Sequence, residues 1–277
     1  MTRRTLATFA DCAVAVDAVG QAAADIVDFV LGDVATTRDV APVATFVVTP
    51  VTGGDRLRLT CDGIVLNADD TARAIGAHLV CDVARCFAEH ASAGLVLHAA
   101  AVAWGDHAVV MPGESGAGKT TLCAHLVQQG AQYLTDELVH VPADGTPVEG
   151  FSRPLSLKPG AWPTLEQALI RESDTSAVLS IVDGFLVRSG RLQPRLARSQ
   201  ASLRACVFPR RVPGAAPALR RLTKAEAGLA LLANLVNARN LPGHGLTQVT
   251  EVARTIPAYA AVYDDAAAMV PLVRALL

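Results

Sequence analysis

A glycine-rich segment near the middle of the chain has the residue types that bind phosphate. The segment carries a complete G-x-x-x-x-G-K-[ST] pattern and consists of Gly113, Glu114, Ser115, Gly116, Ala117, Gly118, Lys119, Thr120 and Thr121. Glycines let the backbone curl so that successive N–H groups point at a phosphate, and the helix that follows adds its dipole. At this spacing Lys119 would reach the β- and γ-phosphates and the Thr120 hydroxyl would bind Mg²⁺. The pattern therefore predicts binding of ATP with Mg²⁺.

Two adjacent carboxylates, Asp136 and Glu137, begin sixteen residues after Thr120, at the end of a predicted strand. A carboxylate beside a γ-phosphate can accept the proton of an incoming hydroxyl or help to hold Mg²⁺. The spacing is shorter than that of the second acidic motif in most P-loop ATPases. No LSGGQ-like signature follows, which disfavours ABC-type ATPases. The pair favours phosphoryl transfer; a solvated turn or a helix-capping acid is the alternative.

The stretch from Leu97-His98-Ala99 through the glycine-rich segment to Gly130–Glu137 resembles HPr kinase/phosphorylase and its relatives. These relatives include the HPr-kinase-like serine kinases found beside peptide-modification genes. The resemblance implies a kinase with a PEP-carboxykinase-like P-loop domain. It also implies that Asp136 is the catalytic base, and that Lys119 and Thr120 bind phosphate and Mg²⁺. Glu137 stands where the family has the second acid of the pair, and we expect it to contribute to metal binding.

The sequence departs from the family after the acid pair. The family carries an I-E-I-R-G-type segment whose glutamate helps to bind metal. The nearest segment here runs from Arg153 to Lys158, with Ser156 near the glutamate position and Lys158 near the arginine position. The departure argues against HPr phosphorylase activity and fits the divergent relatives. There, Arg153 and Lys158 would hold the nucleotide or the acceptor; the alternative is that both are ordinary surface charges.

His98 is the third residue implied in catalysis, besides Asp136 and Lys119. It lies in the apolar run Leu95–Ala103, where a lone histidine is most often a core residue. A histidine of the family lies at about the same distance upstream of the lysine. The resemblance therefore favours an active-site role over a structural one.

Short apolar runs and amphipathic segments predict the elements that position these residues. The order strand, glycine-rich turn, helix and strand is typical of an α/β nucleotide-binding domain. The predicted strands of this part are Leu95–Ala103, His107–Pro112, Gln132–Asp136, Pro154–Leu157, Ala177–Val187, Leu203–Phe208 and Ala258–Tyr263, and the predicted helices are Lys119–Gln129, Thr223–Asn237 and Asp264–Leu277.

The first part of the chain predicts a separate small α+β unit. A hairpin of Thr45–Thr52 and Arg56–Thr60 is followed by a strand over Cys61–Asn67 and by a helix from Asp70 to Glu89, capped by Asp69 or Asp70. Near Gly94 the sequence changes from amphipathic segments to short apolar runs. We therefore expect an α/β protein with an N-terminal domain over residues 1–93 and a P-loop kinase domain over residues 94–277.

Composition excludes several classes of protein. The 277 residues carry 24 basic and 26 acidic side chains, and a net charge of −2 gives no electrostatic basis for binding nucleic acid. No apolar run reaches the ~18 to 20 residues of a membrane-spanning helix. The six cysteines form no C-x-x-C pair, which predicts reduced thiols in a cytoplasmic protein rather than a zinc or disulfide framework.

The sequence as a whole predicts an ATP-dependent phosphotransferase that acts on a serine-type hydroxyl of a protein or peptide. Two alternatives stay open: a kinase of a small metabolite, and a regulatory module that senses ATP without transfer. A pure sensor has no use for a base beside an acceptor, so the acid pair favours the kinase. The expected partners are ATP and a hydroxyl acceptor, without nucleic acid or membrane, and the sequence allows a homo-oligomer.

Overall fold

The structure is a computed structural model that describes residues 1–37, 40–52, 55–143, 147–158, 178–182, 184–188 and 201–277. Within these ranges the chain has a mixed α/β architecture with three sheets. Elements are numbered in chain order over the described residues. None of the helices so described combines the length and the apolar composition that a bilayer crossing requires.

The first sheet belongs to the N-terminal part of the chain. Its spatial order is β3-β1-β2-β4-β5-β6, in which β2 and β4 pair in parallel. Along β4, buried Phe46 and Val48 alternate with half-buried residues, as expected of a sheet with one face on a core. The strands are β1 (Thr2–Phe9), β2 (Cys12–Val19), β3 (Ala35–Thr36), β4 (Ala44–Pro50), β5 (Arg56–Cys61) and β6 (Ile64–Thr71), and the helices α1 (Gln21–Leu31) and α2 (Ala72–His90) pack against them.

The second sheet, of order β11-β10-β7-β8-β15-β17-β16 with β9 also on β7, carries the candidate site. Its central strands β8, β15 and β17 are parallel, so their carboxyl ends meet at one edge. Ligands of open α/β sheets bind at that edge. The strands are β7 (Gly94–Trp104), β8 (His107–Pro112), β9 (Gln132–Thr135), β10 (Leu138–Pro142), β11 (Glu149–Gly150), β15 (Ser202–Arg211), β16 (Ala218–Arg221) and β17 (Ala258–Tyr263).

A three-stranded sheet and four helices complete the described fold. The small sheet consists of β12 (Leu155–Leu157), β13 (Val178–Ile181) and β14 (Gly184–Val187) in the order β12-β14-β13. A capping box of Thr223 and Glu226 fixes the start of α4. The helices are α3 (Lys119–Gln128), α4 (Lys224–Ala233), α5 (Leu246–Thr255) and α6 (Ala266–Arg274).

The first and second sheets share part of their apolar core. The ring of Phe151, which follows β11, lies 6.0 Å from that of Phe9 in β1 and 5.3 Å from that of Phe87 in α2. On the surface, the Asp11 carboxylate accepts hydrogen bonds from the backbone N–H and the hydroxyl of Ser92. The division into domains at residues 93 and 94 stays a prediction.

Several predicted boundaries are wrong, for local reasons. Strand β6 continues to Thr71, so Thr71 rather than Asp69 or Asp70 caps α2, and its side chain accepts from the N–H of Ala74. The run predicted as one strand to Val187 contains two strands, and its first residue, Ala177, lies outside the described residues. The helix predicted to reach Asn237 ends at Ala233, and the last helix begins two residues later than predicted.

Candidate active site

The glycine-rich segment forms a loop between the end of β8 and the start of α3. Gly116 and Gly118 have φ values of 88° and 97°, which residues with a Cβ rarely adopt. Lys119 is 6% exposed, and its ammonium group turns back to donate hydrogen bonds to the carbonyls of Gly113 and Glu114. Burial lowers the pKa of Lys119, while Glu137 and Asp136 act in the opposite direction. The cation therefore lies inside the curl of the loop.

Asp136 lies in the turn between β9 and β10 and is 3% exposed. Its Oδ2 accepts hydrogen bonds from the Thr120 hydroxyl at 3.2 Å and from the Ser156 N–H at 3.1 Å. Its Oδ1 accepts from the Tyr133 hydroxyl at 3.2 Å and lies 3.4 Å from Nη2 of Arg153. Burial raises the pKa of Asp136 more than the Arg153 guanidinium lowers it. The loop threonine and the first acid of the pair are thus in direct contact.

Glu137 shares the guanidinium of Arg153 with Asp136. Nη2 of Arg153 donates to Oε2 of Glu137, whose side chain is 33% exposed. Burial raises the pKa of Glu137, but Arg153 and His98 lower it, so that it lies below its ordinary value. The pleat of a continued strand would send Asp136 and Glu137 to opposite sides. Here β9 ends at Thr135 instead, and both side chains contact Arg153.

His98 lies on β7, opposite Leu138 of β10, and therefore beside the acid pair. Its Nε2 lies 4.0 Å from Oε1 of Glu137, and its side chain is 30% exposed. Burial, with the charge of Lys119, lowers the pKa of His98 below its ordinary value. The imidazole is therefore neutral at pH 7 and faces the same space as the loop.

Lys158 and Arg211 reach the loop from two further segments. Nζ of Lys158 donates to the Ser115 hydroxyl at 3.1 Å. At the end of β15, the N–H of Arg211 donates to the carbonyl of Ala117, and its guanidinium pairs with Asp264. Lys158 is exposed, whereas Arg153 is buried among carboxylates. The two basic residues that the sequence groups together therefore have different surroundings.

These groups line one cavity of about 520 Å³, within the usual range for small-molecule sites. Of the predicted residues, Gly113, Glu114 and Ala117 belong to the loop but not to the lining. The lining consists of His98, Ser115, Gly116, Gly118, Lys119, Thr120, Thr121, His125, Asp136, Glu137, Arg153, Ser156, Lys158, Arg211, Tyr263, Asp264, Asp265 and Ala266.

Sequence reasoning missed Tyr133 and the wall formed by His125, Tyr263 and Asp265. Tyr133 is buried in a predicted strand, where its hydroxyl gives no sequence signal. Tyr263 ends the predicted strand β17, so the rule that ligands bind at the carboxyl ends of parallel strands would have pointed to it. Arg211 follows the predicted strand Leu203–Phe208 and lines the cavity, whereas its neighbour Arg210 does not belong to the lining.

Comparison with known proteins gives little further assignment. No protein-family model matches the chain, and no curated protein matches it. Among solved structures, the Hpr(Ser) kinase/phosphatase from Coxiella burnetii is similar, with 13% sequence identity and a TM-score of 0.30. The match covers 65% of this chain and 92% of that one. A likeness at this TM-score assigns neither family nor activity to the chain.

Proposed function

We propose that the protein is an ATP-dependent phosphotransferase that phosphorylates a serine-type hydroxyl of a protein or peptide. The observation that carries the proposal is the hydrogen bond from the Thr120 hydroxyl to Oδ2 of Asp136. It joins the metal-binding position of a phosphate loop to a buried carboxylate that can serve as a base. A loop that only connects a strand to a helix needs no such partner.

The phosphates would lie in the curl of the glycine loop. Its backbone N–H groups and the N-terminus of α3 favour an anion there. The ammonium group of Lys119 now bonds to two loop carbonyls and would exchange them for phosphate oxygens. Lys158, which contacts Ser115 of the loop, would add a second cation from the open side. Phosphoryl transfer needs mainly such positioning and charge compensation.

One Mg²⁺ ion would bind at the Thr120 hydroxyl, together with the nucleotide. Mg²⁺ prefers hard oxygen ligands and is usually held by few protein groups together with substrate phosphates. The Thr120 hydroxyl is such a ligand at the base of the cavity. The sequence also predicts Glu137 as a ligand, but its Oε2 accepts a hydrogen bond from Arg153 instead. When bound, Mg²⁺ would neutralise charge on the β- and γ-phosphates.

Asp136 is the proposed base, and the raised pKa that follows from its burial strengthens it for that role. It would accept the proton of the acceptor hydroxyl as the phosphoryl group arrives. Glu137 and the neutral His98, which lie 4.0 Å apart in the lining of the same cavity, would orient the acceptor. Arg153 would hold both carboxylates in place.

The test is incubation of the full chain with ATP, Mg²⁺ and a library of serine-containing peptides and small alcohols. Mass spectrometry would detect an added phosphate, and the Asp136→Asn variant is the control for transfer by this site. We expect one class of acceptor to gain phosphate with the wild type and not with the variant. ATP binding without transfer to any acceptor would overturn the kinase and favour an ATP sensor.

A further inference from the structure

Arg153 places a single nitrogen between the two carboxylates of the acid pair. Its Nη2 lies 3.4 Å from Oδ1 of Asp136 and donates to Oε2 of Glu137. When two neighbouring carboxylates bind a divalent ion jointly, the ion occupies this bridging position. In this chain a guanidinium nitrogen occupies it.

The surroundings of Arg153 hold it there. The residue is 6% exposed, and its Nη1 donates to the carbonyl of Pro154. The Tyr133 hydroxyl shares its one proton between Oδ1 of Asp136 and the carbonyl of Arg153, each at 3.2 Å. The N–H of Arg153 donates to the carbonyl of Phe151, whose ring lies in the aromatic cluster shared with the N-terminal sheet. The guanidinium is therefore part of the folded framework, unlike the exposed Lys158.

The charges at the base of the cavity already balance. Lys119 and Arg153 supply two positive charges, and Asp136 and Glu137 supply two negative charges. A site for two divalent ions needs an excess of carboxylate or phosphate oxygens to balance them. Here the acid pair has no excess. The other charged side chains of the lining are also balanced, with Lys158 and Arg211 against Asp264 and Asp265, and Arg211 pairs with Asp264. The phosphates of a bound nucleotide would add negative charge.

We infer that Arg153 is a built-in cation that takes the place of a second metal ion, so that the site binds one divalent ion per chain, together with the nucleotide. The inference rests on the proposed function in that the nucleotide is ATP. In this inference Arg153 holds the acid pair. The sequence suggests instead that Arg153 contacts the nucleotide or the acceptor.

The number of ions is measured with Mn²⁺, whose free form gives an electron paramagnetic resonance signal that bound ions lose. The full chain is titrated with Mn²⁺ at saturating β,γ-imido-ATP, and nucleotide binding is followed separately with a fluorescent ATP analogue. We expect one ion per chain for the wild type and two for Arg153→Met, because that variant leaves both carboxylates without their cation. Arg188→Met, which removes an arginine paired with Asp28 instead, should bind one ion.

A second measurement does not need the nucleotide. Removal of a buried cation from two carboxylates destabilises a fold strongly. Millimolar Mn²⁺ should therefore raise the melting temperature of Arg153→Met by several degrees and leave that of Arg188→Met unchanged. Should Arg153→Met not fold, the double variant Arg153→Met/Glu137→Gln, with one carboxylate charge fewer, replaces it and should also gain stability from Mn²⁺.

The outcomes separate the two proposals. Two Mn²⁺ ions per wild-type chain would overturn the role of Arg153 even if ATP binds and is used. Absence of Mn²⁺ stabilisation in both Arg153 variants would overturn it as well. A wild-type chain that binds no nucleotide at any Mn²⁺ concentration would overturn the kinase instead, while the melting experiment still decides whether Arg153 replaces an ion.

Discussion

The hydroxyl of Tyr263, at the end of β17, donates a hydrogen bond to the carbonyl of Gly118, the last glycine of the loop, at 3.3 Å. The two residues are so close that a Cβ atom at position 118 would lie 2.6 Å from the tyrosine oxygen. The loop follows β8, and this hydrogen bond holds it against the end of β17, another of the parallel strands. Its curvature therefore depends on the packing of the whole sheet edge and not only on its own glycines.

We expect Gly118→Ala to lower the free energy of unfolding by about 1 to 3 kcal/mol, and to weaken ATP binding at least tenfold. The φ of 97° strains any residue with a Cβ, and Tyr263 must move as well. Gly130→Ala is the matched control, because Gly130 has a φ of 93° but open space around its Cβ position. Denaturant unfolding and calorimetry with ATP measure both effects, and equal losses in the two variants would argue against the contact with Tyr263.

Lys119→Ala should weaken ATP binding at least tenfold while the fold remains intact. The ammonium group lies within the loop, so its loss removes the cation that would neutralise the phosphates. Lys224→Ala, at the exposed start of α4, is the matched control, since that lysine lies outside the cavity lining. Calorimetric titration with ATP and Mg²⁺ compares the two. An unchanged affinity in Lys119→Ala would remove phosphate binding from this loop.

Much of the site could be predicted because the glycine-rich pattern encodes local geometry. The sequence places the loop between a strand and a helix, and it puts Lys119, Thr120 and Asp136 together at the sheet edge. It could not show that Arg153 bridges the acid pair, because that contact depends on how the chain returns after β11. Nor could it give β2 and α1, because their alanine- and valine-rich segments suit strand and helix alike.

Asp11 lies in the turn after β1 and contacts Ser92, and this contact makes the stability of the fold depend on pH. Burial raises the pKa of Asp11, but hydrogen bonds from Ser92, from Ala93 and from the backbone of Asp11 itself together lower it by more, so the pKa lies below its ordinary value. The ionised form therefore stabilises the fold above the unfolded-state pKa of about 3.9, and this contribution is lost as pH falls through the lower folded-state pKa. Asp11→Asn should cost about 1 kcal/mol of unfolding free energy at pH 7 and less near pH 3.

Denaturant unfolding of the wild type and Asp11→Asn at both pH values measures this difference. Ser92→Ala and the double variant complete a cycle that isolates the contact between the two side chains. A difference that stays constant from pH 7 to pH 3 would show that ionisation of Asp11 does not contribute.

His98→Asn separates an active-site role from a structural one. His98 is neutral at pH 7 and lies 4.0 Å from Glu137 at the cavity. If it orients the acceptor, the variant should lower the transfer rate about tenfold or more, and the melting temperature should hardly change. Thermal unfolding and steady-state transfer assays give the two values. Normal turnover by a destabilised variant would make His98 a core residue.

Substitutions in the acid pair test the proposed kinase activity most directly. Asp136→Asn keeps the shape of the side chain and the hydrogen bond from Thr120 but removes the proton acceptor. It should retain ATP binding and lose about 10²-fold or more in transfer rate, the usual scale for loss of a general base. Glu137→Gln should have a milder effect, because the Asp136 carboxylate and its contacts with Thr120 and Ser156 remain.

Single-turnover transfer to an identified acceptor, with nucleotide affinity measured for each variant, distinguishes the two carboxylates. Stability provides an independent check. Burial raises the pKa of Asp136, so the fold favours the protonated form of this carboxyl. The stability that the protonated form contributes is complete below the unfolded-state pKa of about 3.9 and is lost as pH rises through the folded-state pKa. Asp136→Asn should therefore become relatively more stable against the wild type as pH rises. A wild-type transfer rate in Asp136→Asn, together with a large loss in Glu137→Gln, would move the base to Glu137 and leave Asp136 as the residue that positions Thr120.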